Sequence, residues 1–391
     1  MSLKKSDRTP QKRLTILIPC LNEEKTIKKC ITVALCWLKK SQIAGEVLVV
    51  DNGSSDHSVK RAQSAKARVV TQLKKGYGST ISYGILHANS QYIIMGDADL
   101  SYDFSKLDDF LLHLEQGYDL VIGNRFTGRI LPGAMPLLHQ IIGNPVLTFI
   151  SNLFFQTHIG DYHCGLRGFK KSSIIKLKLK SQGMEYASEM IVKSALNNLK
   201  IKEVPIVYYP DQRGRKSHLR TFRDGWRHLR FLLLFSPHWL FFVPGIFLMV
   251  VSSIIFIILF FNEVTIGSIR FGSHSLLLTM TLILSGYQIF LFSLFTQVFS
   301  QRMNIILKLP SFSKTLSKIK TESILFAGTV SMLVGFLICT SVFYQWYILG
   351  FGDLDQANTM KTFILGVTLI LIGLQTCFGA FFINILRVDL T

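Results

Sequence analysis

Four long apolar stretches in the second half of this 391-residue chain constrain it more than any other feature. They run over about 239–261, 276–299, 324–349 and 363–385. Each supplies the roughly 20 apolar residues that a helix needs to cross a bilayer core about 30 Å thick. The connections between them differ in charge. That after the first stretch holds only Arg270 and that after the third only Lys361, whereas that after the second holds Arg302, Lys308, Lys314, Lys318 and Lys320. The positive-inside rule then places the 300–323 loop, the N-terminal region and the C-terminus in the cytoplasm, with an integral membrane protein of a bacterial inner membrane as the expected setting. Ionisable residues are nearly absent from mid-span, which argues against an ion or proton path. The spans read as an anchor and as a surface for homo-oligomerisation.

The first half differs in kind. Residues 1–13 form a basic tail with no apolar core, so no cleavable signal peptide is expected. Residues 14–218 mix charged and apolar positions as a soluble domain does. Residues 219–236 read as an interfacial helix ahead of a membrane domain at 237–391. Arg220, Arg223, Arg227 and Arg230 recur on one face of it, with Trp226, Leu229 and the run 231–235 available to the lipid boundary. The net charge of +19 calls for an anionic partner, and beside hydrophobic runs of this length that partner is a membrane rather than nucleic acid. Cys20, Cys30, Cys36, Cys164, Cys339 and Cys377 show no zinc-type spacing and are expected to be reduced thiols.

Within 14–218, short continuous apolar runs alternate with helical patterns. Strands are expected at 14–18, 47–50, 68–72, 92–95, 120–122 and 201–209, and helices at about 25–40, 57–67, 79–89 and 106–116. This is an α/β pattern: a mostly parallel sheet with helices on both faces, followed by an all-α membrane domain of four helices. Ligands of such sheets bind beyond the carboxyl ends of the strands. Asn22, Glu23, Asp51, Asp97, Asp99 and Arg125 all fall there.

Asp97 and Asp99 leave the apolar run 93–95 one residue apart, so in extended chain they point to the same side. Paired carboxylates repel unless a cation lies between them, and Mg²⁺ or Mn²⁺ with diphosphate oxygens would meet that need. A polar turn after a strand is the plainer alternative. Lys75-Gly76-Tyr77-Gly78 could cradle phosphate or could be a turn. Neither the Gly-x-Gly-x-x-Gly of nicotinamide sites nor a P-loop is present.

The ordered segments Ile18-Pro19-Cys20-Leu21-Asn22-Glu23-Glu24, Val49-Val50-Asp51-Asn52-Gly53-Ser54-Ser55-Asp56 and Gly96-Asp97-Ala98-Asp99 resemble the signature of family-2 nucleotide-sugar glycosyltransferases, which have the GT-A fold. The resemblance implies that Pro19, Asn22 and Glu23 line the nucleotide pocket. Asp51 would contact base or ribose, and Asp97 and Asp99 would hold the diphosphate through Mg²⁺ or Mn²⁺. Asp161-Tyr162-His163-Cys164-Gly165-Leu166-Arg167 resembles the Asp-x-x-Ser-Gly-Phe-Arg segment of the polyprenyl-phosphate branch, with Cys164 and Leu166 departing from the commoner residues. On that likeness Asp161 orients the acceptor or acts as base. Arg125, Arg167, Glu185 and the basic loop with Arg213 and Lys216 face the acceptor and its phosphate. An ordinary structural role is the alternative for each. Ser101 stands where mannose-transferring relatives commonly have Gln, so a UDP-sugar is favoured over GDP-mannose.

The Gln-x-x-Arg-Trp element of processive synthases is absent, and Gly225-Trp226-Arg227-His228 does not replace it. The expected activity is a single inverting transfer of a sugar to undecaprenyl or dolichyl phosphate at the cytoplasmic face. The rivals are transfer to another lipid such as diacylglycerol, and a non-catalytic scaffold or flippase partner.

Overall fold

The structure is a computed structural model that describes residues 13–214, 221–262, 264–302, 320–354 and 356–387. Most of the basic N-terminal tail, Lys216 with most of its loop, and the core of the cationic 300–323 connection lie outside the described residues. The chain forms two compact units, one up to Leu232 and one from Leu233.

The first unit is built on a seven-stranded sheet of order β3-β2-β1-β4-β6-β5-β7. Its strands are β1 Leu14–Cys20, β2 Gly45–Asp51, β3 Arg68–Thr71, β4 Tyr92–Met95, β5 Leu120–Ile130, β6 Arg167–Lys170 and β7 Ile201–Tyr208. All run parallel except β6, which pairs antiparallel with both β4 and β5. The central strands are apolar without alternation because both faces are covered: Leu14, Ile16, Leu17, Ile18, Leu48, Ile93 and Ile94 are all buried. Helices α1 Ile27–Lys40, α2 Ser58–Ser64, α3 Tyr77–His87 and α4 Asp108–Glu115 make the crossovers. Helix α3 lies so close to the sheet that a Cβ on Gly84 would run into the side chains of Leu17 and Val50.

Two features depart from the expected pattern. Strand β5 does not stop at residue 122 but continues to Ile130, through an irregularity between Asn124 and Arg129 in its pairing with β7. The Asn124 side chain holds that bend by accepting from the amides of Phe126 and Thr127, both at 2.9 Å. The second departure is β6 itself. Its register sets Met95 opposite Arg167, which brings residues just before β6 beside those just after β4. Further along come α5 Asn144–Phe155, α6 Lys171–Lys176, α7 Tyr186–Leu196 and α8 Thr221–Leu234. Around α5, Leu137, Leu138, Ile141, Ile142, Val146 and Phe149 stand exposed along its apolar side. Helix α8 exposes Arg223, Trp226, Arg227 and Arg230 and turns Asp224, His228 and Phe231 inward. Phe231 is therefore buried, not presented to lipid as the sequence suggested.

The second unit contains α9 Val243–Phe261, α10 Ser273–Arg302, α11 Thr321–Ile348 and α12 Gln356–Arg387. Among the described residues, four helices are long and apolar enough to cross a membrane, and a small hairpin of β8 Val264–Ile266 and β9 Ile269–Phe271 joins the first two. Apolar side chains gain little by leaving lipid for one another, so close backbone approach has to hold such helices together. Glycines provide it: a Cβ on Gly335 would lie 2.6 Å from the Gly366 carbonyl, and one on Gly373 2.5 Å from that of Gly328. Gly245 and Gly286 do the same between α9 and α10.

Candidate active site

The carboxyl ends of β1, β2 and β4 gather the candidate donor residues. Asp51 is the last residue of β2, and its buried carboxylate accepts from the amides of Gly53 at 2.9 Å and Ser54 at 3.2 Å. Those bonds fix the turn that follows. Asn22, at φ 58°, fastens the loop after β1 to it: its amide donates to Ser54 Oγ at 2.9 Å and its Oδ1 accepts from the Ser55 amide at 2.7 Å. Asn22 is thus a fastener between two loops, and its acceptor is already committed. Pro19, next to last in β1, is half-buried beside Val50. Glu23 is buried, with its amide donating to Ser58 Oγ at 2.7 Å.

The protein holds one oxygen of Asp97 and both oxygens of Asp99. Tyr77 Oη donates to Asp97 Oδ1 at 3.1 Å, and the Ser101 amide donates to Asp99 Oδ1 at 2.9 Å. Burial and then the neighbouring Asp99 charge push Asp97 up to about 7. The same burial, with Asp97 alongside, keeps the Tyr77 hydroxyl protonated as a donor by pushing its pKa well above 10. Asp99 Oδ2 is taken by the Arg213 guanidinium, whose Nη1 also lies 3.5 Å from Glu23 Oε1. Among the described residues no three His, Cys, Asp or Glu side chains converge tightly enough to hold an ion unaided. Two carboxylates with mutual repulsion still suit Mg²⁺ or Mn²⁺, which usually completes its shell with substrate phosphate and water. On that chemistry the pair fits such an ion, and Asp97 and Asp99 are the residues that would hold it.

The segment before β6 meets this cluster through the register of the sheet. A Cβ on Gly165 would come 2.6 Å from Asp97 Oδ2, and the Gly165 amide donates to Tyr102 Oη at 2.8 Å. Asp161 lies further back, with no measurable exposure, gripped by Arg125: Nε to Oδ2 is 2.7 Å and Nη2 to Oδ1 is 2.8 Å. The Arg125 amide adds a third contact at 3.2 Å, and the guanidinium lies 5.1 Å above the Tyr208 ring. Glu203 on β7 accepts the amides of Gly160 and Asp161 and fixes the loop from behind.

Several expected ligands have other work. Arg167 is buried, and its three nitrogens donate to the carbonyls of Cys164, Ala187 and Tyr162 at 2.6–2.8 Å. It braces the loop and is not presented to a phosphate. Lys75 Nζ is bound to the carbonyls of Asn52 and Gly53 at 2.7 and 3.2 Å. The Gly76 amide donates to Asn52 Oδ1, and the Gly78 amide to the Gln182 carbonyl. The expected phosphate cradle at 75–78 is instead a packed helix start in which the Gly76 and Gly78 amides are already spent. Glu185 accepts from the Gly183 amide through Oε1, while its buried Oε2 has no hydrogen-bond partner among the described residues.

Residues that the sequence did not single out complete the site. Tyr77 sat inside what read as a glycine turn. His163 and His228 meet edge to face with ring centroids 4.7 Å apart, and Ser188 Oγ lies 2.9 Å from His228 Nδ1. Burial holds both rings neutral, lowering His228 to about 4 and His163 well below its ordinary 6.5. A histidine two residues after Asp161, in a loop rich in motif residues, was the one signal that could have marked this pair.

A Rossmann-like sheet with a strand-end Asp-x-Asp, followed by four apolar helices, defines a membrane-bound glycosyltransferase of the GT-A type. The chain belongs to glycosyltransferase family 2. Residues 15–178 match the family described as Glycosyl transferase family 2, and residues 294–387 match the Glycosyltransferase family 2 C-terminal transmembrane region. It is 36% identical over 372 residues to the low-salt glycan biosynthesis hexosyltransferase Agl6 of Haloferax volcanii, covering 95% of this chain and 88% of that one. It is 33% identical over 211 residues to the glycosyltransferase AglJ of the same organism, covering 54% of this chain and 67% of that one. Among solved structures, glucosyl-3-phosphoglycerate synthase from Mycobacterium tuberculosis in complex with Mn²⁺, UDP-glucose and phosphoglyceric acid aligns at a TM-score of 0.47 and 18% identity, over 57% of this chain and 79% of that chain.

Proposed function

We propose that this enzyme moves a hexose from a nucleotide diphosphate sugar, a UDP-sugar by preference, to a polyprenyl phosphate at the cytoplasmic face of a membrane, with Mg²⁺ or Mn²⁺ held by Asp97 and Asp99. The ion would neutralise the diphosphate as it leaves. Tyr77 orients Asp97, the Ser101 amide orients Asp99, and Asp51 with Glu23 receives the nucleoside end. In-line attack would invert the anomeric centre.

The observation that carries the acceptor assignment is the Arg125–Asp161 pair. Asp161, expected either to orient the acceptor or to act as base, has its carboxylate saturated by a guanidinium and shielded from water. A phosphate acceptor needs no base, because its oxygen is already anionic near neutral pH, and positioning with charge stabilisation then suffices. The exposed apolar side of α5 and the arginine face of α8 suit a catalytic unit held at a lipid surface.

One observation favours a lipid alcohol such as diacylglycerol: His163 is neutral and its buried Nε2 has no hydrogen-bond partner among the described residues. The burial that leaves it neutral also makes it a weak base. Presenting purified enzyme and labelled UDP-hexose with undecaprenyl phosphate or with diacylglycerol separates the two. Label in the phosphate lipid alone is expected, and label in diacylglycerol alone would replace the reading.

A further inference from the structure

Arg213, half-buried, is held unlike the buried arginines of the catalytic unit. Arg125 sets Nε and Nη2 on the Asp161 carboxylate and its guanidinium over a tyrosine ring, and Arg167 has all three nitrogens on backbone carbonyls. Arg213 spends Nη2 on Asp99 Oδ2 and sets Nη1 at a long 3.5 Å from Glu23 Oε1. Its Nε is buried with no hydrogen-bond partner among the described residues. Burial works against its charge, and the carboxylates of Asp99 and Glu23 outweigh that effect. The residue sits on the segment leaving β7, which is pinned across the site by two backbone bonds, Tyr209 to Ser101 and Gln212 to Asp99, both 3.1 Å. Gly214, at φ 69°, follows it directly.

From this arrangement we infer that Arg213 is the resting counter-ion of the donor site: its guanidinium stands on the Asp99 oxygen that a divalent ion would use and must be displaced before the ion can bind. The inference rests on the metal reading of Asp97 and Asp99 proposed above and adds a competition to it. The charges of Asp99 and Glu23 both act against a charge on Asp97, and without an ion that repulsion needs a positive group. The sidechain supplying it comes from a short segment beside a glycine, not from the sheet, and its unpaired Nε marks an incomplete fit. A site kept in this way has part of its negative charge offset when empty and admits an ion only by exchange of one cation for another.

The test is Mn²⁺ binding to the purified full-length protein without any donor, read from the loss of the free-ion EPR signal. Arg213→Gln and Arg213→Ala are expected to bind Mn²⁺ at least about tenfold more tightly than wild type, about 1.4 kcal/mol. Arg213→Lys, which keeps the positive charge, stays within about threefold of wild type on the same scale. Affinity unchanged or weakened in both neutral variants, with Mn²⁺ binding lost in Asp99→Asn, overturns the competition and leaves the metal site standing. Wild-type Mn²⁺ binding in Asp99→Asn removes the metal site and the competition together.

Discussion

Asp161→Ala is the perturbation that best separates a positioning residue from a reacting one. The wild-type pair is a two-pronged contact of 2.7 and 2.8 Å, with the aspartate fully buried and Arg125 only 6% exposed. Removing the carboxylate leaves a guanidinium in low dielectric with the Tyr208 ring as its remaining neighbour of opposite polarity. Breaking a buried pair by deleting one partner costs roughly 3–5 kcal/mol, whereas replacing both partners with apolar groups of similar volume is often neutral. For a domain of this size each kcal/mol moves the melting point by about 2–4 °C, so a fall on the order of 10 °C is expected. The paired replacement Arg125→Met with Asp161→Leu should recover most of it. The assay is thermal unfolding of the full-length protein in detergent, by intrinsic fluorescence, for the two single variants and the double. An Asp161→Ala protein that melts within about 2 °C of wild type, where less than roughly 1 kcal/mol has been lost, yet no longer transfers sugar would refute the reasoning and make Asp161 a direct participant.

Gly165→Ala would set a methyl group 2.6 Å from Asp97 Oδ2, so Mn²⁺ affinity should fall sharply while the melting point moves little; intact Mn²⁺ binding would mean that Asp97 does not hold the ion. His228 is neutral down to about pH 4 in the fold against an ordinary 6.5. The unfolded chain therefore takes up the proton first, stability is complete above pH 6.5 and declines as pH falls towards 4, by up to about 3 kcal/mol. His228→Gln should flatten that limb in a series of melts between pH 7 and 4, and a variant with the wild-type slope would assign the loss elsewhere. Gly335→Val should force α11 and α12 apart, because even a Cβ there would meet the Gly366 carbonyl at 2.6 Å; a destabilisation of about 1–3 kcal/mol, read as earlier detergent-induced unfolding, is the expected result, and wild-type resistance would contradict the packing.

What could be read from sequence followed the physics of each signal. The parallel strands β1, β2 and β4 are unbroken apolar runs, and the four long helices are longer still, so both halves of the architecture declared themselves. Strand β6 did not, because Arg167-Gly168-Phe169-Lys170 is four residues with a charge at each end, and only its pairing with β4 and β5 makes it a strand. The polar continuation of β5 through Arg125 and Thr127 was hidden for the same reason. At the site, acidic residues at strand ends were visible because few structural demands place two aspartates there. The fate of donors was not. Arg167 and Lys75 read as phosphate ligands, and nothing in their order along the chain reveals that backbone carbonyls from distant loops already occupy them. The tyrosines behave alike: Tyr77 gains its meaning only where α3 starts beside Asp97.

Donor binding and transfer depend most on the two aspartates that follow β4. The most direct test is transfer of labelled hexose from a UDP-sugar to undecaprenyl phosphate by the purified protein with Mn²⁺, compared with Asp99→Asn and with wild type after chelation of the metal. The account predicts transfer by wild type that is lost in both controls. Undiminished transfer by Asp99→Asn, or in chelator, would contradict it.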